Sequence, residues 1–546
     1  MKMKKMISLC VAAAMMTGCL TACGNSNASP SVDNKETASD QQESSSQQEE
    51  SSQAQSGEAS AEGETVNLAE EPIEFDLFID IPWFWLDKWG SEPVSQKITE
   101  LTGVSFNIIR ADNAEQIAML INSNDLPDLI YCENRGRQTM LSDPDVCYSY
   151  NELVERTGVD IHANETVIAN NTRSDGNYYA LLNAYTSQEA IDEGNTLLSG
   201  GTRALAYRVD IWEAIGSPEF NSIEDIEKAL LACKEKFPDV IPLLPLEGNQ
   251  WYFAEQMGLN GSGSLGYDKD GKPCHYLSME GIQDYYKLLN RFYREGLITP
   301  ESMTYGYDKY CEVRNSGKTF MQIRSTDEAQ TSNAAAKEAG TDYRWKLLTH
   351  ELSDDALVNV NTGIGWAGTF ISKNCKDPER AIEFISWARS EEGRKLGAWG
   401  IQGEHWDYDE NGNTMTTEAY REGLAAGKSR QNDFGVGVWI FGDQGDENAF
   451  IDAAVSDPDQ LDYYERLKSA VKHTRVMSEL NKCIPTEGDM ANLWNSLNDM
   501  CYSETQKAIF AETEEECQVA LDKLYEQAET MGLSQINEWM AQQLEN

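Results

Sequence analysis

The sequence predicts an α/β protein of open, largely parallel sheets covered by helices, with a helix-rich C-terminus and, ahead of the body, a signal peptide and a disordered tether. Three observations lead there. A basic start runs into a short uncharged segment, a polar low-complexity stretch follows it, and a β-α-β-α-β rhythm begins where apolar residues first become regular.

Residues 1–22 carry Lys2, Lys4 and Lys5 and then an uncharged run too short and too rich in small residues to be a stable bilayer span, so they read as an export signal. The run ends in Leu20-Thr21-Ala22-Cys23, which resembles the bacterial lipobox and would make Cys23 a lipidated N-terminus. Each buried CH2 of an acyl chain contributes ~0.8 kcal/mol, so more than one chain gives a lasting anchor. An ordinary secreted protein with a chance cysteine at the cleavage point is the alternative, and Met16-Thr17-Gly18-Cys19 is a poorer second candidate. Residues 23–70 hold few large apolar side chains and many Ser, Gln and Glu, a composition that buries too little to offset its ordering entropy. They read as a tether extended by its own charge.

The signal holds three lysines and no acid, so its loss takes the formal charge from −47 to −50. Such a chain lacks the basic face that phosphate contacts need, which excludes nucleic acid as a partner. Nine cysteines are scattered through the body without a C-x-x-C pair, and no H-E-x-x-H, G-x-S-x-G or Walker A pattern occurs. Neither a cofactor nor a zinc site is therefore expected. A glycosidase's carboxylate pair could still hide among the acids, because its test is a separation in space.

In the body, Ile73-Glu-Phe-Asp-Leu-Phe-Ile79 alternates as a strand does, and the aromatic loop Pro82-Trp83-Phe84-Trp85 follows. A helix is expected at about 93–102, a strand at Val104-Ser-Phe-Asn-Ile-Ile-Arg110, a helix near 114–122 and a third strand within 126–131. Ligands of such sheets sit beyond the carboxyl ends of the strands, which singles out the loops at 83–89 and 133–137. A second α/β region starts near Arg203, with helices at about 223–236 and 278–295. The run Val358 to Ser372 then leads into a helix at about 377–388.

Several segments, in order along the whole chain, resemble the extracellular solute-binding lipoproteins of bacterial ABC importers, in particular the large carbohydrate-binding type. They are the lipobox at Cys23, Asn124-Asp-Leu-Pro-Asp-Leu-Ile130, Ala206-Tyr-Arg-Val-Asp-Ile-Trp212-Glu-Ala-Ile-Gly216, Asp377-Pro-Glu-Arg-Ala-Ile-Glu-Phe-Ile385, Ser390-Glu-Glu-Gly-Arg-Lys-Leu396, and the closing region from Cys483 through Trp494 to Asp522. No piece is specific alone; the ordered set is. The resemblance implies a two-lobe, periplasmic-binding-protein-like fold of type II. It places lobe 1 at 71–204 with a returning segment from about 366, and lobe 2 at 205–365 with C-terminal helices at about 480–546. The first crossing would fall near 200–207 and the second near 360–366. It also implies a monomer without catalysis of its own, anchored outside the cell by Cys23, that takes a carbohydrate between its lobes and hands it to ABC permease subunits. An anchored glycosidase, or the same scaffold holding a peptide or other polar solute, are the competing functions.

A sugar offers C–H faces to aromatic rings and a rim of hydroxyls to amides, carboxylates or guanidinium groups. The residues expected to hold it are Trp83 and Trp85 after the first strand, Arg135 past the third, Trp251, Trp366 at the second crossing, Trp406 and Trp439. Packing between elements is the competing role for each tryptophan, and a solvated loop charge for Arg135 and its neighbour Arg137. Trp212, Trp387 and Trp494 sit at helical spacing and read as core. The stretch from Asp407 also fits the EF-hand spacing, with Asp409, Asn411, Gly412 and Glu418 in register. Gly397, Gly400 and Gly403 interrupt the helix that should enter such a loop, so a hairpin turn supporting Trp406 is expected in place of a metal cage.

Overall fold

The computed structural model describes residues 71–546 except 82–83, 114, 195, 199–200, 247, 361–364, 439, 443–448, 486–487 and 546. The segments expected as signal peptide and tether, with Cys23, and the expected ligand residues Trp83 and Trp439 lie outside the described residues. Sixteen strands are present among those described, numbered β1 to β16 in chain order.

The first sheet has the order β2-β1-β3-β13-β4. β1 (Ile73–Asp80) lies parallel to both β2 (Val104–Arg110) and β3 (Leu129–Cys132), with Leu77 opposite Ile108 and Leu129. Phe75, Leu77, Phe78 and Ile79 are all fully buried because β1 is central and covered on both faces. The helix Pro93–Thr102 between β1 and β2 starts where the Glu92 carboxylate accepts the Ser95 N–H at 2.9 Å, with proline in its first turn, and stops at Gly103 in the left-handed region. Antiparallel to β3 runs β13 (Gly368–Ser372), which in turn pairs with the short β4 (Cys147–Tyr148). Buried Asp128 joins the early and late strands. Its carboxylate accepts the backbone N–H groups of Asp76 and Lys376, each at 2.8 Å, and pairs with the Lys376 ammonium at 3.0 Å.

The second sheet has the order β11-β5-β10-β6. β10 (Thr319–Ser325) is parallel to β6 (Ile241–Pro245) and antiparallel to β5 (Arg203–Arg208), while β11 (Trp345–Leu347) is antiparallel to β5. The sheets are thus more mixed than alternating strands and helices predict. β5 and β13 each follow a passage of the chain from one sheet to the other, so each enters its new sheet running against its neighbours. The run from Val358 is also two strands, since β12 (Val358–Val360) pairs in parallel with β16 (Thr474–Val476) and β13 belongs to the first sheet.

Two large apolar cores follow from this. One carries the first sheet, the helix Pro378–Arg389 and a later segment that includes Tyr420, Val436, Val438 and Phe441. The other carries the second sheet, the helix Ile282–Arg294 and the closing helices Gly488–Ile509, Glu514–Met531 and Leu533–Glu545. All nine body cysteines are free thiols, and only Cys311 among them is not buried.

At the start of β5 a knot of charge lies out of water. Arg466, fully buried, pairs with Glu351 and donates to the Arg203 carbonyl at 3.0 Å; Arg203 pairs with Glu255 at 2.7 Å; Gln256 donates to Glu351 at 2.7 Å. Removing one member strands its partner, so R466M should lower stability by about 3–5 kcal/mol in urea unfolding, and adding E351L should recover most of it. Burial raises the Glu255 carboxyl to about 7 against the pull of Arg203, and its Oε2 is buried with no donor. A carboxyl raised in the folded state contributes stability that is complete below its unfolded value and is lost as pH rises through the folded one. The stability difference between the wild-type chain and E255Q should therefore shrink between about pH 5 and pH 8, measured as paired melting temperatures.

Candidate functional site

Parallel β1 and β3 end at the same edge of the first sheet, and the chain beyond them carries an aromatic and amide ledge. Phe84 stacks on Trp85 with centroids 6.0 Å apart and meets Tyr131 edge-on at 5.6 Å, and Tyr131 meets Trp366 at 6.4 Å. Buried Asn183 holds this arrangement. Its Oδ1 accepts the N–H groups of Trp366 at 3.3 Å and Ala367 at 3.1 Å, and its Nδ2 donates to the Tyr131 hydroxyl at 3.0 Å. Gly365 must be glycine here, because its φ is 82° and a Cβ would lie 1.1 Å from the Asn183 carbonyl oxygen. That close approach aims the Gly365 carbonyl at Arg135, which donates to it from Nη2 at 3.0 Å and to Gln138 Oε1 from Nη1 at 3.3 Å. Gln138 in turn donates to the Trp366 carbonyl at 3.0 Å. Trp85, Arg135 and Trp366 are so brought together. Arg137 is engaged elsewhere, pairing with Asp80 at the end of β1, whose carboxyl burial raises in spite of that cation. Among the described residues the Trp85 indole N–H is buried without an acceptor, at a cost of about 1–3 kcal/mol.

A cavity of about 680 Å3 is lined by Trp406 together with Trp399. The two rings meet edge to face, 4.9 Å apart at 88°, with Phe450 5.5 Å from Trp399. The Gly400-to-Trp406 turn produces this pair. Ile401 N–H donates to His405 Nδ1 at 2.9 Å, the Trp406 indole donates to the Gly400 carbonyl at 2.9 Å, and a Cβ on Gly400 would press on His405 at 2.5 Å. His405 is buried, which lowers its pKa and keeps the ring neutral. Trp406 is 3% exposed and its N–H is engaged, so only ring surface is left to offer.

The facing wall comes from the second sheet's side: Asp327 beyond β10, and Gln460, Tyr463, Tyr464 and Leu467 on the helix Pro458–Lys472. Arg421 and Arg430 add positive charge to the lining. Two of the lining carboxylates are bound to their own chain. Asp452 accepts from Thr416 N at 3.0 Å, Thr416 Oγ1 at 2.7 Å and Ala454 N at 2.9 Å, and Asp457 caps the Pro458–Lys472 helix. The pocket size falls within the ~300–1,000 Å3 common for small-molecule sites. Aromatic faces, hydroxyls and guanidinium groups together suit a polyhydroxylated ligand.

Trp251 stands apart from both groups. It packs on the second core, edge-on to Tyr285 at 5.4 Å, with its N–H directed at the Gly261 carbonyl at 3.3 Å. Trp494 is buried in that same core, and Trp212 and Trp387 are half-buried against the two cores. Trp399, Tyr463 and Tyr464 were not legible as lining residues, since all three lie in helices, where an aromatic at regular spacing signals packing.

The EF-hand-like stretch folds as a hairpin of β14 (Trp406–Tyr408) and β15 (Thr414–Thr416). Asp409 closes its turn by accepting the N–H groups of Asn411 and Asn413, both at 2.8 Å, and Asp407 accepts from Gln402 at 3.1 Å. Glu418 starts the helix Glu418–Ala425. Among the described residues no three His, Cys, Asp or Glu groups converge as a metal site would require. Calcium titration should accordingly leave the melting temperature unchanged; a rise that depends on Asp409 would contradict the hairpin.

The architecture is the two-lobe α/β fold of ABC-transporter solute-binding proteins. The alginate-binding protein AlgQ2, crystallised without calcium ion, superposes with a TM-score of 0.61 at 16% identity, covering 88% of this chain and 99% of that one. The Streptococcus pneumoniae ABC-transporter substrate-binding protein FusA, in complex with kestose, gives 0.58 at 15% identity, covering 86% and 98%. An HMO-binding, ABC-transporter-associated solute-binding protein from Bifidobacterium longum infantis gives 0.58 at 13% identity, covering 87% and 98%. No protein-family model and no curated protein matches the sequence.

Proposed function

We propose that this chain captures an oligosaccharide between its two α/β lobes and delivers it to the permease subunits of an ABC importer, without chemistry of its own. The observation that carries this reading is the 680 Å3 cavity lined by Trp399, Trp406, Tyr463 and Tyr464. One wall is continuous with the first core through Tyr420 and Val436, and the other is tied to the second sheet by Arg466. Hinged closure of the two would trap a ligand between aromatic faces. Trp85, Arg135 and Trp366 would extend the contact along the first sheet's edge. The described neighbours, which bind alginate, kestose or HMO, support carbohydrate as the ligand class. The chain would work as a monomer at the outer face of the membrane, held by acyl groups on Cys23.

Binding to the folded state alone stabilises it by about 2.7 kcal/mol at a hundredfold excess over Kd. A saccharide that fits should therefore raise the melting temperature and shift tryptophan emission, with W399A reducing both effects. If a broad panel of mono- and oligosaccharides moves neither signal, the carbohydrate reading fails. Release of shorter products from a bound polysaccharide would replace it with an enzyme.

A further inference from the structure

The chain has a large excess of acid, and its arginines are commonly matched with carboxylates, as in Arg137 with Asp80, Arg203 with Glu255 and Arg466 with Glu351. Arg135 and Arg173 break the pattern. Among the described residues Arg135 is held only by the neutral acceptors Gln138 and the Gly365 carbonyl. Arg173 donates from Nε to the Ser142 hydroxyl at 3.2 Å. The nearby Asp175 carboxylate accepts from the Tyr179 hydroxyl at 2.6 Å and from Asn177 N at 2.9 Å, and it acts on Arg173 through its charge, with no hydrogen bond between the two among the described residues.

The two side chains lie along one short helix, Arg135–Leu141, the first reaching Gln138 and the second the Ser142 cap. Those anchor points are about 6 Å apart along the helix axis, at 1.5 Å per residue. Both residues are open to solvent, yet the surrounding protein lowers the pKa of each, and the Arg173 charge lowers that of Arg135 further. Two cations close enough to feel each other repel unless an anion lies between them. The same helix holds the Trp366 backbone through Gln138, so the pair borders the aromatic ledge.

We propose that Arg135 and Arg173 form an anion subsite that selects an acidic saccharide, one carrying carboxylate groups, over a neutral one. This rests on the oligosaccharide reading and narrows it. A carboxylate matches the planar guanidinium fork, and the rest of its sugar ring is placed against half-buried Trp366. The chain's overall negative charge does not prevent this, because it is screened beyond about 8–10 Å at physiological salt while contacts in the cleft are not.

The test is calorimetric titration with short oligogalacturonates and oligomannuronates, set against neutral galacto- and manno-oligosaccharides of equal length. Acidic probes should bind at least about tenfold more tightly than neutral ones, the scale of one charge-assisted hydrogen bond, and should weaken with added NaCl. R135Q and R173Q should each abolish that preference and flatten the salt dependence. Arg173 is solvent-open, so R173Q should keep the wild-type melting temperature. Neutral probes binding as well as or better than acidic ones would remove the subsite and leave oligosaccharide capture standing. Heat from neither class, with tryptophan emission unmoved over the wider panel, would remove both. Acid preference that survives R135Q and R173Q would overturn the assignment to these arginines.

Discussion

The arrangement depends on a buried charge knot at the point where the chain enters the second sheet. Arg466 and Glu351 have essentially no contact with water, and with Arg203 and Glu255 they join β5, the helix Tyr252–Gln256, the chain ahead of β12 and the helix Pro458–Lys472. Apolar side chains of similar volume would recover most of the stability there, because desolvating Arg466, Glu351 and Glu255 costs several kcal/mol each before pairing offsets it. Directional bonding adds orientation. Arg466 reaches the Arg203 carbonyl as well as Glu351, so the Pro458–Lys472 helix is fixed in rotation as well as in position. Tyr463, Tyr464 and Leu467, on that helix, then form a defined cavity wall.

The opposite wall is fixed by different means. Trp399 ends the helix Glu391–Trp399, and a tight turn from Gly400 brings Trp406 back against it, with His405 filling the bend as a hydrogen-bond acceptor. A neutral imidazole accepts an N–H at Nδ1 and an imidazolium does not, so burial of His405 and the shape of the turn depend on each other. The aromatic residues of the cavity belong to separate apolar clusters, Trp399 and Trp406 with Phe450, and Tyr463 and Tyr464 with Leu467. The two are joined where the Asp452 N–H donates to the Tyr464 hydroxyl at 3.4 Å.

Much of the fold was legible because its elements follow local rules. Alternation in Ile73 to Ile79, the helix Pro93–Thr102 between Glu92 and Gly103, and the helix Ile223–Lys236 emerge where their patterns place them. Strand direction was not legible, because β5 and β13 take theirs from long-range passages between sheets. The site was legible in part. Trp85, Arg135 and Trp366 converge because they follow strand ends or a sheet passage, positions with a topological meaning. Trp406 was marked by its glycine-rich context, but its partner Trp399 and the tyrosines across the cavity look like ordinary helical packing in one dimension. Arg137 was indistinguishable from Arg135 in sequence; only the side chain of Asp80 separates them.

The ledge on the first sheet's edge is energetically incomplete as it stands. Among the described residues a buried indole N–H at Trp85 has no acceptor, and the Arg135 and Arg173 guanidinium groups hydrogen-bond only neutral partners. Neither feature helps the chain fold, since each could be relieved by a single change: a phenylalanine in place of the indole, or a neutral side chain in place of one arginine. Unsatisfied groups collected at one edge of a sheet, beside half-buried aromatic rings, are the pattern of a site whose missing partner is supplied from outside. On the proposed reading, a ligand made only of apolar surface would leave both cations unmatched, so one that accepts hydrogen bonds and presents a flat C–H face in the same molecule would be favoured.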